Sequence, residues 1–467
     1  MRDVDYPRLR HRAEDHALHA GDEVVRGSEV REEGYYPGGH HGAAPTGPDP
    51  AVILFSLRGP GRRVIGIREG LERVSSCLRP VQGDEELSVW EARGRVLAGE
   101  VRSPGDYPPL PKAEYDGYAL RSRESPGEFR VVGSALPGSR APELGPGEAI
   151  YVTTGAYLPG DLDAVIPQED AEVVERGGAR YLAVARRIEP WSYVDPPGYH
   201  ARRGELLLPG GRVLTRLDLV ALASVGVDLV RVRRRVRVTA LSVGSELSGD
   251  RTRAPSAIIS EGGTPESNSV LLSWYLEARA PFAELVASRV VPDDPAEIAR
   301  EAEEALSSSD VLVTFGGSGP GSIDFTRRLV EGSDCSVGDL RMKPGKPAKL
   351  AVSGGRLLAV LPGHPLAALH ALTRLLDPLI HMVAGAEWRP WPGVTAVLAE
   401  DPPERRIGFS QQYLVRLSSE GGERVARIIY KHGTGVTSKL AGADALLNLD
   451  EEEAPRRGDR VEVALIT

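Results

Sequence analysis

"DVLVTFGGSGPGSIDFTRRLVEG" (residues 310–332) decides the fold. Val311 to Phe315 form a short run without polar alternation, the pattern of a strand buried on both faces. A glycine-rich turn follows, and then a segment with helical spacing, predicted over 322–332 and closed by Gly332. The neighbouring sequence repeats this order. "VRVTALSVG" predicts a strand, "SNSVLLSWYLEA" an amphipathic helix and "FAELVASRVV" a strand. "DPAEIAREAEEALSSS" predicts a helix with Asp294 as N-cap and Pro295 in its first turn. "LLAVLPG" predicts another strand, and "PLAALHALTRLLDPLIHMVAG" a long helix. Strands alternating with helices predict a parallel α/β domain over 236–386, with helices on both faces of the sheet.

The flanks read differently. Short strand-like pieces and turns over 105–192 predict a small β domain, with a hairpin in "AEVVERGGARYLAVA" turning at Gly177-Gly178. Residues 387–467 predict a second, barrel-like β domain. Segments 76–104 and 193–235 predict an elongated linker domain. Within it, Val89, Ala92, Val96 and Leu97 share one face of a helix predicted over 84–101. The Arg run in "RVRRR" (231–235) reads as a solvated connector. Residues 1–75 show no sustained period and predict a poorly ordered, removable extension, although they carry five of the ten histidines. The fold class is thus multidomain α+β, with a three-layer α/β domain flanked by small β domains.

Composition bounds the function. A net charge of -9 argues against a nucleic-acid surface. No apolar run reaches the length of a membrane span, and the N-terminus lacks a signal-peptide core, which predicts a cytoplasmic protein without membrane contact. Cys77 and Cys335 are the only cysteines, and their spacing predicts two separate reduced thiols.

In an open α/β sheet, ligands bind beyond the carboxyl ends of the strands. "SVGSEL" (242–247), "TFGGSGPGSIDF" (314–325), "MKPGKP" (342–347) and "LPGHP" (361–365) should crowd that edge. Gly316, Gly317, Gly319 and Gly321 let backbone N–H groups approach an anion, and the following helix start adds positive potential. No Gly-Lys-Ser/Thr follows, so the loop is not a Walker A loop. Glu246 and Asp324 are carboxylates expected beside the cradle. Two of them facing an anion suit a divalent cation such as Mg2+. His364 reads as fixing its turn. The chain holds only six lysines, and Lys343, Lys346 and Lys349 lie within seven residues. Lys is a compact charge on a flexible stem, suited to phosphate and oxyanion ligands, whereas Arg is a planar fork. Lys349 reads as merely solvated.

Eight motifs, in order, carry a resemblance: "PPLPKAEYDGYAL" (108–120), "TTGAYLPGDLDAVIPQED" (153–170), "RRGELL" (202–207), "SVGSEL", "ESNS" (266–269), "FGGSGPGSIDF" (315–325), "MKPGKP" and "LPGHP". Over residues 76–467 the chain resembles the molybdopterin molybdenumtransferases, the MoeA type and the E domain of gephyrin. The resemblance implies an elongated homodimer of four-part subunits that performs the last step of molybdenum cofactor synthesis. Adenylylated molybdopterin and molybdate, or tungstate, would react with release of AMP, assisted by Mg2+. The active site would be shared between the α/β domain of one subunit and the small β domain of the other. It implies catalytic roles for Asp116, Thr154, Glu246, Asp324, Lys343 and Lys346, with Glu246 and Asp324 as metal ligands. It places Asn268, Gly316, Gly317, Ser318, Gly319, Gly321, Pro362, Gly363, His364 and Pro365 around the bound substrate. A molybdopterin adenylyltransferase is an implied partner.

The chain departs from the family pattern at three places. Glu114 and Tyr115 stand where a small residue and Met are usual, Gly319 where Ser is usual, and His364 where Asn is usual. Two alternative functions stand beside the transferase: the adenylyltransferase itself, whose single domain lacks the extra β domains, and a non-catalytic scaffold or cofactor chaperone.

Overall fold

The structure, a computed structural model, describes residues 64–139, 142–317, 332–429 and 437–466. The helix expected over 322–332, together with Ser318, Gly319, Gly321 and Asp324, lies outside the described residues, as do residues 1–63.

The α/β domain is built on a six-stranded sheet. Ala283–Val291, Val236–Val243, Val311–Phe315 and Arg356–Leu361 lie side by side in that order and run parallel. Lys349–Ser353 and Cys335–Gly338 extend the sheet antiparallel. Helix Pro295–Ser308 begins as its sequence predicts, with the Asp294 carboxylate accepting from Ala296 N at 2.8 Å and Glu297 N at 3.2 Å. Every residue of Val311–Phe315 is buried, because helices cover both faces of the sheet.

The long helical run passes from Pro365–Ala371 through a π turn at Leu372–Leu376 into Asp377–Ala384. By length and composition this run could cross a membrane, contrary to the reading that no segment is apolar enough; 83% of it is buried inside the protein, as expected of a core helix. Asp377, at its centre, is fully buried and accepts from Tyr275, Arg279 and the Trp388 indole. That satisfies an otherwise costly charge.

The first β domain is a six-stranded sheet in the order Ala164–Pro167, Gly117–Leu120, Glu148–Val152, Gly127–Ala135, Ala179–Val184, Glu172–Arg176. The predicted hairpin is present: Arg176 pairs with Ala179, and Gly177 and Gly178 both hold positive φ. In the C-terminal domain, strands Gly393–Leu398, Ser410–Glu420, Glu423–Ile428, Ala445–Leu449 and Arg460–Leu465 close into a five-stranded barrel, since Ser410–Glu420 pairs with both Glu423–Ile428 and Ala445–Leu449.

Four sequence expectations are corrected here. The helix predicted over 84–101 is instead strand Asp84–Ser88 followed by a single 3-10 turn, Val89–Glu91. The apolar residues are buried as expected, but the backbone of 84–88 pairs antiparallel with Leu229–Arg233, and this distant pairing overrides the local period. Residues 65–75 are not part of a poorly ordered extension: Ile65, Ile67 and Val74 sit in the α/β core, and helix Ile67–Ser75 packs on the edge strand Cys335–Gly338. The Arg run is not a solvated connector. Arg234 forks onto Asp310 at 2.7 and 2.8 Å, and Arg235 donates to Pro281 O at 2.6 Å, so the run brackets the linker onto the α/β domain. Finally, Cys77 and Cys335 are joined as a disulfide, with Cα atoms 6.1 Å apart. A separation of 258 residues hides that adjacency from any spacing argument.

Candidate functional site

Three of the four expected loops meet at the carboxyl edge of the parallel strands because each follows directly from one of them. Gly316 N donates to Leu361 O at 2.9 Å, joining the glycine turn to the strand that leads into "LPGHP". A Cβ on Gly316 would lie 2.6 Å from Val243 O, and one on Gly363 would lie 3.4 Å from Gly316 Cα. Gly316 and Gly317 hold φ of 88° and 69°. At Gly316 the floor of the edge is therefore close-packed backbone that only glycine can provide, and the positive φ of Gly317 favours glycine there too.

The lysine loop reaches the same edge for a topological reason. Strand Lys349–Ser353 runs antiparallel to Arg356–Leu361, with Lys349 opposite Val360, so its start lies where the parallel strands end. Met342–Lys343 pairs with Ser410–Gln411 of the barrel, which places the loop on the seam between the two domains. Lys343 Nζ donates to Glu404 Oε2 at 3.3 Å, and Lys346 is exposed. Lys349 is half-buried with its stem along Gly338, where a Cβ would lie 3.1 Å from Lys349 Cγ; this corrects its reading as a solvated residue.

Asn268 Nδ2 donates to Gly363 O at 2.7 Å, so Asn268 sets the position of the "LPGHP" backbone; its Oδ1 is buried without a partner. Pro362, Gly363, His364 and Pro365 form the turn into the long helix, and His364 O accepts from Ala368 N at 2.8 Å. His364 Nδ1 is also buried and unpartnered, and burial pushes the imidazole pKa down. Glu246 is exposed and its carboxylate folds over Gly244.

Two functional supports escaped the sequence reading. His370 is fully buried on the helix behind the edge. Its Nδ1–H donates to Pro344 O at 2.7 Å, which leaves Nε2 to accept from Ser410 Oγ at 3.4 Å. Burial pushes its pKa down to about 3, so it is neutral and ties the lysine loop to the helix and the barrel. The signal was a His inside an apolar helix. Glu266, 5% exposed, accepts from Ser242 Oγ, Ser269 N, Ser269 Oγ and Arg251 at 2.6–2.9 Å and braces the end of strand Val236–Val243. Its signal was the acid three residues ahead of Ser269 in "ESNS".

Asp116 and Thr154 meet each other, in the first β domain. Asp116 Oδ1 accepts from Thr154 N at 2.7 Å and Thr154 Oγ1 at 2.8 Å. These bonds, the backbone one foremost, hold the Asp116 carboxyl below its usual pKa, so it is ionised at neutral pH. Their mutual hydrogen bonds stay within the β domain and do not join the pair to the α/β edge. Among the described residues, no three His, Cys, Asp or Glu side chains gather as a metal site. Glu246 supplies one hard carboxylate oxygen donor of the kind Mg2+ takes.

Comparison with known proteins agrees with this arrangement region by region. The MoeA N-terminal region (domain I and II) matches residues 65–226, the probable molybdopterin binding domain matches 239–382, and the MoeA C-terminal region (domain IV) matches 399–466. A molybdopterin molybdenumtransferase of Haemophilus influenzae is 29% identical over 375 residues, covering 79% of this chain and 90% of that protein. Its counterpart from Bacillus subtilis is 27% identical over 399 residues, covering 83% and 90%. The crystal structure of a molybdopterin biosynthesis MoeA protein from Pyrococcus horikoshii superposes with a TM-score of 0.70 at 28% identity, covering 87% of this chain and 100% of that one. The chain belongs to the MoeA-type family of molybdopterin molybdenumtransferases.

Proposed function

We propose that the protein inserts molybdate, or tungstate, into adenylylated molybdopterin and releases AMP. The observation that carries this reading is the edge itself. Backbone of a glycine turn, the "LPGHP" turn and a lysine loop converge there, in a chain whose regions match the family in order.

The residues divide the work. The close-packed backbone at Gly316 and Gly317 lets phosphate oxygens approach the edge closely, the Gly316 amide itself being used by Leu361 O. Lys343 and Lys346 bring mobile positive charge to the phosphates and the incoming oxyanion; one such charge at 4 Å near a protein surface is worth about 4 kcal/mol before desolvation. Glu246 and Asp324 would hold Mg2+, which would supply positive charge beside the departing phosphate. Asp116, ionised and fixed by Thr154, faces the reacting centre from the β domain of a second subunit, which makes the homodimer the active unit. The adenylyltransferase reading is disfavoured by the two β domains, each with its own core, which a single-domain enzyme has no use for.

The test supplies the purified chain with adenylylated molybdopterin and either molybdate or tungstate and measures AMP. Release with one oxyanion supports the reading; no AMP with either moves it to a scaffold or chaperone. Mixing Asp116→Ala with Lys346→Ala chains should restore part of the activity in heterodimers, and no recovery after verified exchange of subunits would discard the shared site.

A further inference from the structure

The face of the first β domain beside Asp116 carries a group of side chains that the roles above do not use. Tyr115 and Tyr193 meet edge to face, with ring centroids 5.2 Å apart at 71°. Both remain about half exposed, at 51% and 44%. The backbone holds them there deliberately: Glu114 N donates to Tyr193 O at 3.1 Å, and Val194–Asp195 pairs antiparallel with Lys112–Ala113. Tyr193 adopts a left-handed φ of 53°, and Trp191, two residues earlier, one of 65°. Non-glycine residues keep that conformation only where the surroundings enforce it, and such positions cluster at ligand sites.

The same two segments carry two carboxyls, Glu114 and Asp195. Asp195 is 7% exposed and lies 3.0 Å from His200 Nε2. The Glu114 carboxyl sits against Asp195, outside that pair and exposed to solvent. Contact with the Asp195 carboxyl, then burial and like-charge repulsion, raise the pKa of Glu114. His200 Nε2 pairs with Asp195, the inner of the two carboxyls. Asp116 follows Glu114 and Tyr115 directly in sequence.

We infer that Glu114, Tyr115 and Tyr193 form a subsite for the pterin end of the substrate, the ring stacking on Tyr115 and its 2-amino-4-oxopyrimidine edge donating to the Glu114 carboxylate. This rests on the function proposed above. A pterin presents a ring N–H and an exocyclic NH2 as two parallel donors, which a carboxylate accepts as a pair. An exposed aromatic ring supplies the matching flat surface. Adenine, at the other end of the same substrate, presents one donor and one acceptor on its corresponding edge and fits a carboxylate poorly. The subsite therefore orients an elongated substrate: pterin toward Asp116, adenylate away from it.

The experiment titrates the full chain with free pterin, followed by its fluorescence, and in parallel with lumazine, which has oxygen in place of the 2-amino group, and with AMP. Pterin should bind at least tenfold more tightly than lumazine. Glu114→Gln and Tyr115→Ala should each weaken pterin at least tenfold and leave AMP unchanged, while Tyr115→Phe should restore pterin binding. Equal affinity for pterin and lumazine, or pterin binding indifferent to both Glu114→Gln and Tyr115→Ala, overturns the subsite. A loss of AMP binding in Glu114→Gln instead assigns the face to the adenine end and also overturns it. The two readings fail separately. Wild type that releases AMP while the variants keep its KM refutes the subsite alone; wild type that binds pterin as described yet releases no AMP refutes the transferase alone.

Discussion

The α/β edge and the face of the first β domain present their chemistry in opposite ways. In the floor of the edge, the atoms on offer are backbone, packed too closely at Gly316 for a side chain and held by Asn268, Glu266 and His370 behind them. On the β domain they are side chains standing on a sheet whose core, around Ile150 and Val152, does not depend on them. A scaffold made of backbone cannot be altered without altering the fold. One made of exposed side chains can. Changes in the backbone floor of the edge should therefore damage stability and turnover together, and changes to exposed side chains, on the β face or in the lysine loop, should damage turnover alone.

The sharpest challenge to that contrast is Gly316→Ala. The added methyl would meet Val243 O at 2.6 Å on a residue with φ of 88°. The expected cost is about 2–4 kcal/mol of stability, with loss of AMP release. A denaturation midpoint equal to wild type would show that the edge is not rigid backbone. Lys343→Ala and Lys346→Ala come next, each expected to slow turnover at least tenfold, roughly 1.4 kcal/mol. Lys346 is exposed, so its variant should unfold like wild type. Lys346→Arg should also be impaired; if both Lys346 variants keep wild-type rates at limiting molybdate, the loop is not an anion site.

Asp116→Asn tests the other half of the comparison. It should slow AMP release while stability stays within about 0.5 kcal/mol of wild type, because an exposed side chain contributes little to the core. A large fall in melting temperature would make the Asp116–Thr154 pair structural.

A smaller effect at neutral pH concerns His370. Its folded pKa of about 3 lies below the unfolded value, so the fold favours the neutral ring. That stability is complete above about pH 6.5 and declines as the pH falls from there toward 3, by about 1.4 kcal/mol per pH unit. His370→Gln lacks this slope, so the gap in melting temperature between wild type and variant should narrow on acidification; a constant gap between pH 7 and 4 would refute the assignment. Lys349→Arg should be near neutral in both rate and stability, since a second long stem can lie along Gly338.

The sequence was most legible where structure is local. Val311–Phe315, the Asp294 cap and the Gly177-Gly178 turn each follow from a few consecutive residues, and each is present. The site loops were legible for the same reason: strand polarity alone sends them to one edge. What failed was non-local. Residues 84–88 look helical until Leu229–Arg233 arrives beside them, and the charges of Arg234 look solvated until Asp310 is placed opposite. The contact of His370 with Pro344 O joins a helix to a loop in front of it, and no spacing rule reaches across that gap.

The Cys77–Cys335 bond has a topological consequence. It closes a ring of chain whose ends are 258 residues apart in sequence. The ring contains the first β domain, both linker segments and the four parallel sheet strands except Arg356–Leu361, while the barrel hangs outside it as a tail. A protease that cuts once anywhere within that ring turns it into a line but releases no fragment. On a denaturing gel the nicked molecule would keep its full mass until a reductant opened the sulfur bond, and only then would two bands part.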